Sequence, residues 1–88
     1  MKIKENFILQ TVADSNVVVP VGEASAVLNG VIVLNDSGAI LWNLLLEQAD
    51  SKGLAGKLME EYGISAEKAS HDVEVFLDTL RKIGCLEE

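Results

Sequence analysis

Val31-Ile32-Val33-Leu34-Asn35-Asp36-Ser37-Gly38 is the stretch that decides how this chain folds, because the hydrophobic period changes inside it. Four consecutive apolar side chains, three of them valine or isoleucine, read as a strand. The polar residues that follow can accept from the free N–H groups of a first helical turn, with Asn35 or Asp36 as the cap. Downstream, Ala39, Ile40, Leu41, Trp42, Leu44, Leu45 and Leu46 are apolar nearly all round a helix predicted to run to about Gln48. Such a helix is either central to the core or presents a second apolar face to something else.

Upstream of this switch the chain reads as strand. Phe7-Ile8-Leu9-Gln10-Thr11-Val12 is β-prone, Asp14-Ser15-Asn16 is turn chemistry, and Val17-Val18-Val19 is closed by Pro20, which cannot donate to a ladder. The two runs predict a β-hairpin. Gly22-Glu23-Ala24-Ser25 reads as loop, and Asn29-Gly30 signals a turn before the third strand. Downstream, Ser51 is placed to cap a second helix whose inward stripe is Leu54, Ala55, Leu58, Met59 and Tyr62, ended by Gly63. Ser65 is placed to cap a third, with Ala69, Val73, Phe76, Leu77, Leu80 and Ile83 on one face and Gly84 as its stop. Strands followed by helices predict an α+β fold: a three-stranded antiparallel sheet followed by three helices. The short Tyr62-Gly63-Ile64-Ser65 connection makes the last two helix-turn-helix-like, so the expectation is a winged-helix-like single domain spanning 1–88.

Seven basic against fourteen acidic residues give a net charge of −7, which repels the phosphates of nucleic acids and anionic membrane surfaces. Cys85 is the only cysteine, so no internal disulfide can form and an oxidising compartment loses its usual motive. The first residues lack the apolar run of a signal peptide, and no stretch approaches the roughly 20 apolar residues of a membrane span. The expectation is a cytoplasmic protein that binds neither nucleic acid nor membrane.

Catalytic and metal-binding chemistry is hard to assemble from these residues. One His and one Cys, His71 and Cys85, fall short of the ligand set zinc prefers, and His71 reads as a solvated residue on the polar face of the third helix. Cys85, beside Leu86 and just past a helix end, reads as a small buried hydrophobe. The glycines are scattered, so there is no phosphate loop, and Glu60-Glu61 and Glu87-Glu88 read as solvated surface. No enzyme activity, metal or cofactor is expected. As a DNA reader the third helix would present Glu67, Asp72 and Glu74 against Lys68 where phosphates must approach, which opposes binding. The positive signal is the third strand. Val31, Ile32, Val33 and Leu34 carry no charge and no proline, so the strand is either a paired central strand or an unprotected edge open to strand addition.

Val19-Pro20-Val21-Gly22-Glu23, the segment from Leu34-Asn35-Asp36-Ser37-Gly38 to Trp42, and Phe76-Leu77-Asp78-Thr79-Leu80-Arg81-Lys82-Ile83-Gly84 resemble the PqqD family, the coenzyme PQQ synthesis protein D-like domains also called RiPP recognition elements. Asn35, Gly38 and Trp42 stand at the family's spacing, and the likeness covers nearly the whole chain. The resemblance implies a peptide-binding adaptor that captures the leader of a ribosomally made precursor peptide and presents it to a modifying enzyme, commonly a radical SAM enzyme. It implies that the leader adds as a strand to Val31, Ile32, Val33 and Leu34 and rests beside the third helix at Asp72, Val75, Phe76 and Thr79. On the first helix, Ile40 and Leu44 lie roughly opposite Leu41 and Leu45. One of these faces either packs on the later helices or meets the modifying enzyme or a second copy of the chain, as a homodimer. Two other classes remain: an acidic winged-helix domain acting in transcription through protein contacts, and a structural subunit of a complex.

Overall fold

The computed structural model describes residues 1–22 and 32–88. In chain order they form β1 (Lys2–Ile3), β2 (Phe7–Val12), β3 (Ser15–Pro20), β4 (Ile32–Leu34), α1 (Asp36–Leu46), α2 (Ser51–Tyr62), α3 (Ala66–Ile83) and β5 (Leu86–Glu87). The predicted α+β order therefore holds: an antiparallel sheet, β2-β3-β4, precedes three helices. The expected loop at Glu23-Ala24-Ser25, the Asn29-Gly30 turn and Val31 lie outside the described residues.

The hairpin turns one residue earlier than predicted. Val12 pairs with Ser15, so Ala13-Asp14 is a two-residue loop and Asn16 belongs to β3. Ala13 adopts φ 55°, a left-handed conformation that glycine takes without penalty and alanine does not. A two-residue loop is flanked by a hydrogen-bonded pair, and hydrogen-bonded pairs recur at every second position of an antiparallel ladder. Val12↔Ser15, Gln10↔Val17 and Ile8↔Val19 are then the bonded pairs, and the Val21 N–H to Asn6 carbonyl bond at 2.9 Å continues the series. Pro20, opposite Phe7, falls at a non-bonded position where its missing donor costs the hairpin nothing.

The same parity carries across to β4. Residues 16 and 18 of β3 turn their backbone groups away from β2, so Asn16↔Leu34 and Val18↔Ile32 are the bonded pairs on that side. Val33, opposite Val17, points its N–H and C=O away from β3, to the side where no described strand lies.

Three caps hold the helices in place. The Asn35 carboxamide oxygen accepts from the Gly38 N–H at 2.8 Å, Asp50 accepts from Gly53 at 2.8 Å, and Ser65 accepts from Lys68 at 3.2 Å. Each is worth about 1 kcal/mol. Asp50 rather than Ser51 caps α2, because the neighbouring carboxylate reaches the Gly53 N–H first. α1 stops at Leu46, short of Gln48, which turns to φ 78°. Gly63 and Gly84 end α2 and α3 at φ 63° and 84°.

The core lies between the sheet and the helices. Phe7, Val18 and Leu34 meet Leu41, Trp42 and Leu45 of α1, Leu54 and Leu58 of α2, and Ala69, Val73, Leu77 and Leu80 of α3. Met59 and Tyr62, expected in the inward stripe of α2, are exposed. Phe76 and Ile83 of α3 are only partly buried. Two very short strands give the sequence no periodicity to show: β1 and β5 pair Ile3 with Leu86 and Lys2 with Glu87, burying both apolar side chains. The Lys4 N–H donates to the Cys85 carbonyl at 3.0 Å, and Arg81 grips the Glu88 carboxylate, with its Nη2 2.9 Å from Oε1.

Candidate peptide groove

Among the described residues β4 is the outer strand of the sheet, and Val33 is 66% exposed. It stands beside α3, and between them runs a groove of about 480 Å³. Its position follows from helix periodicity. Ala69, Val73, Leu77 and Leu80 bury one stripe of α3. Asp72, Val75, Phe76 and Thr79 fall at i, i+3, i+4 and i+7, a neighbouring stripe turned toward β4, and all four line the groove. Of the residues expected to meet a peptide, Val33 and Leu34 line it as well. Ile32 does not: it is half-buried, packed against the core, with its backbone bonded to β3. Val31 lies outside the described residues.

The groove also has a floor and a wall that sequence reasoning did not find. Leu41 and Leu58 contribute from α1 and α2, and Asn35, Ser37 and Gly38 from the start of α1. Gly38 is glycine for a steric reason. A Cβ built there would sit 3.1 Å from the Asn35 cap oxygen and 3.4 Å from both Leu34 and the Phe76 ring. The absent side chain thus lets cap, strand and ring converge. His71 lies at the lip, exposed as expected for a solvated residue but now beside the groove.

A second depression of about 420 Å³ shares Asn35, Ser37, Leu58 and Asp72 with the first and continues it toward Tyr62, Ile64 and Lys68. The exposed Tyr62 therefore has a place in the molecule. Polar groups at the rim are largely engaged locally: Lys68 and Asp72 pair at 3.4 Å, the Thr79 hydroxyl donates to the Val75 carbonyl at 3.0 Å, and Asn16 donates to Asp36 at 3.4 Å. What remains open is a trough of mixed lining, apolar at Leu34, Leu41, Leu58, Val75 and Phe76, with one strand edge along it. Such an arrangement suits an extended peptide, which supplies backbone bonds to the edge and alternate side chains to the trough.

A family model described as coenzyme PQQ synthesis protein D (PqqD) matches residues 15–86. The chain belongs to the PqqD family. The matched segment takes in β3, β4, all three helices and the start of β5, and so the whole described groove. Among curated proteins no sequence matches this chain. Two solved structures share its fold. One is TbiB1 in complex with the TbiA(beta) leader peptide, with a TM-score of 0.79 and 22% identity over 99% of this chain and 95% of that one. The other is lasso peptide synthetase B1 complexed with the leader peptide, with a TM-score of 0.78 and 18% identity over 99% of this chain and 96% of that one.

The remaining chemistry of the chain lies away from the groove. Cys85 is fully buried, and desolvation pushes its thiol from 9.0 up to about 11, well away from the thiolate a nucleophile needs. Among the described residues no three His, Cys, Asp or Glu side chains are grouped so as to hold a metal ion. No helix among them is long and apolar enough to cross a membrane.

Proposed function

We propose that this chain is a peptide-binding adaptor: it captures the leader segment of a ribosomally made precursor peptide by strand addition at β4 and presents the peptide to a modifying enzyme of the radical SAM type. The observation that carries this is the pairing of an uncharged outer strand with a groove along the same strand whose apolar part is Leu34, Leu41, Leu58, Val75 and Phe76. Val33 supplies the backbone donor and acceptor. Leader side chains on one side of the added strand lie over Leu34, Val75 and Phe76 and approach the floor at Leu41 and Leu58. The two structures of the same fold were both captured with leader peptides, and family membership supports the same role here.

The adaptor itself supplies no chemistry in this account. Its contribution is to hold the leader in one register, which raises the local concentration of the attached peptide at the enzyme. Calorimetric titration with synthetic leader-length segments of any short peptide found encoded near this chain's gene tests the proposal. Stoichiometric binding by one of them that is weakened by a charge at Val75 is expected. No binding by any of these segments overturns it.

A further inference from the structure

We propose that the outer face of the sheet is a docking surface for the modifying enzyme, and that the bound leader completes this surface as a fourth strand. This rests on strand addition at β4 and goes beyond it. Alternation along the strands, with Phe7, Val18 and Leu34 facing the core, turns Ile8, Val12, Val17, Val19 and Val33 to the opposite side. The register joins them: Ile8 lies across from Val19, and Val17 across from Val33. Only the neutral Gln10 and Ser15 interrupt them.

A solvent-facing side of an antiparallel sheet is ordinarily polar. Single exposed valines need no explanation, but a charge-free aliphatic face running across three strands does. No Lys, Arg, Asp or Glu falls within β2, β3 or β4. The complementary partner has an apolar centre, matching the depletion of charge at interface cores.

Size separates the candidate occupants. Two strands of six residues and one of three, at about 3.4 Å per residue and about 4.8 Å apart, cover roughly 250 Å² in plan. Two copies packed face to face would bury roughly 500 Å², well short of the ~1,200 Å² of a stable pair. The face is therefore too small for a self-standing dimer. It is adequate for a partner that also holds the peptide, because that tether raises the effective concentration of a weak contact. In an added strand the residue beside Val33 points outward with it, and its neighbours point into the groove. Leader positions thus alternate between the adaptor and the enzyme, and each partner's binding strengthens the other's.

The double variant Ile8→Thr/Val12→Thr tests this on β2, two strands away from the leader edge, and keeps β-prone side chains. Its thermal melt, its titration with the synthetic leader, and its titration with a purified candidate modifying enzyme, sought among the genes around its own, are compared with wild type. The expected result is a leader affinity within about twofold, a tenfold or greater loss of enzyme affinity, and a wild-type enzyme affinity several-fold higher with leader than without. If the double variant melts early, Val12→Thr alone, at a site 56% exposed, is measured instead. Enzyme binding unchanged by the substitutions overturns the surface while leaving the leader site intact. A wild-type chain that binds no leader overturns both. A concentration-dependent dimer abolished by the same substitutions assigns the face to a second copy and overturns this inference alone.

Discussion

Proline at position 33 separates an open edge from an internal strand, because the ladder's parity says which backbone groups are already used. Ile32 and Leu34 are bonded to β3, whereas the Val33 N–H faces outward. Val33→Pro therefore removes no bond from the free protein, and its side chain is 66% exposed, so little packing is lost. The expected cost is at most about 1 kcal/mol, a fall in Tm of roughly 4–8 °C for a domain of this size. The bound state loses far more. A leader carbonyl that met the Val33 N–H is left facing a proline ring, which costs about 1–3 kcal/mol, or roughly 5- to 150-fold in Kd.

Leu34→Pro gives the reverse pattern. It breaks a ladder bond and disturbs a side chain that is 7% exposed, a loss of about 3 kcal/mol or more from a total of the order of 4–13 kcal/mol. Thermal melts and calorimetric leader titrations on the two variants make the comparison. The reasoning is refuted if Val33→Pro unfolds the domain as Leu34→Pro does, or if it folds and binds the leader like wild type.

Three further outcomes are expected. Ala13→Gly relieves the left-handed alanine in the hairpin turn and should stabilise the domain by about 0.5–1 kcal/mol, read as a higher melting temperature with unchanged leader affinity. Val75→Asp, at a half-exposed site on the groove, should change stability by no more than about 0.5 kcal/mol yet weaken leader binding about tenfold or more, by calorimetry. The Cys85 thiol should resist alkylation at pH 8 until the chain unfolds. The native thiol holds its proton up to about pH 11 and the unfolded one only to about 9, so stability is full below pH 9 and falls by roughly 2–3 kcal/mol between those values, a loss that denaturant melts would show is absent in Cys85→Ala.

Much of the fold was legible because its signals are local. Asn35 and Ser65 sit where helix caps belong, Gly63 and Gly84 where helices stop, and the period-2 and period-3.6 stretches meet at residues 34–36. What escaped reading depends on distant partners. β1 and β5 are two residues each and exist only because Ile3 and Leu86 meet in space. The turn at Ala13-Asp14 hides because nothing in the sequence marks an alanine for positive φ. Asp50 and Ser51 are both competent caps, and only geometry chooses between them.

The groove divides in the same way. The stripe at Asp72, Val75, Phe76 and Thr79 follows from helix periodicity once the buried stripe is known, but which flank faces β4 is set by how α3 packs on α2 and the sheet. Leu41, Leu58 and Tyr62 looked like ordinary core positions. They line the trough because the three helices leave a gap beside the sheet edge, with Gly38 drawing Leu34 and Phe76 together.

Hydrogen exchange at the three β4 amides, followed by NMR with and without the leader peptide, tests strand addition most directly. In the free protein the Ile32 and Leu34 amides should exchange slowly, held by β3, while Val33 exchanges fast. On saturation with leader, Val33 alone of the three should gain strong protection, because its N–H acquires a partner on the added strand. A Val33 amide already protected in the free protein, or one still exchanging fast in the leader-saturated complex, would contradict the account.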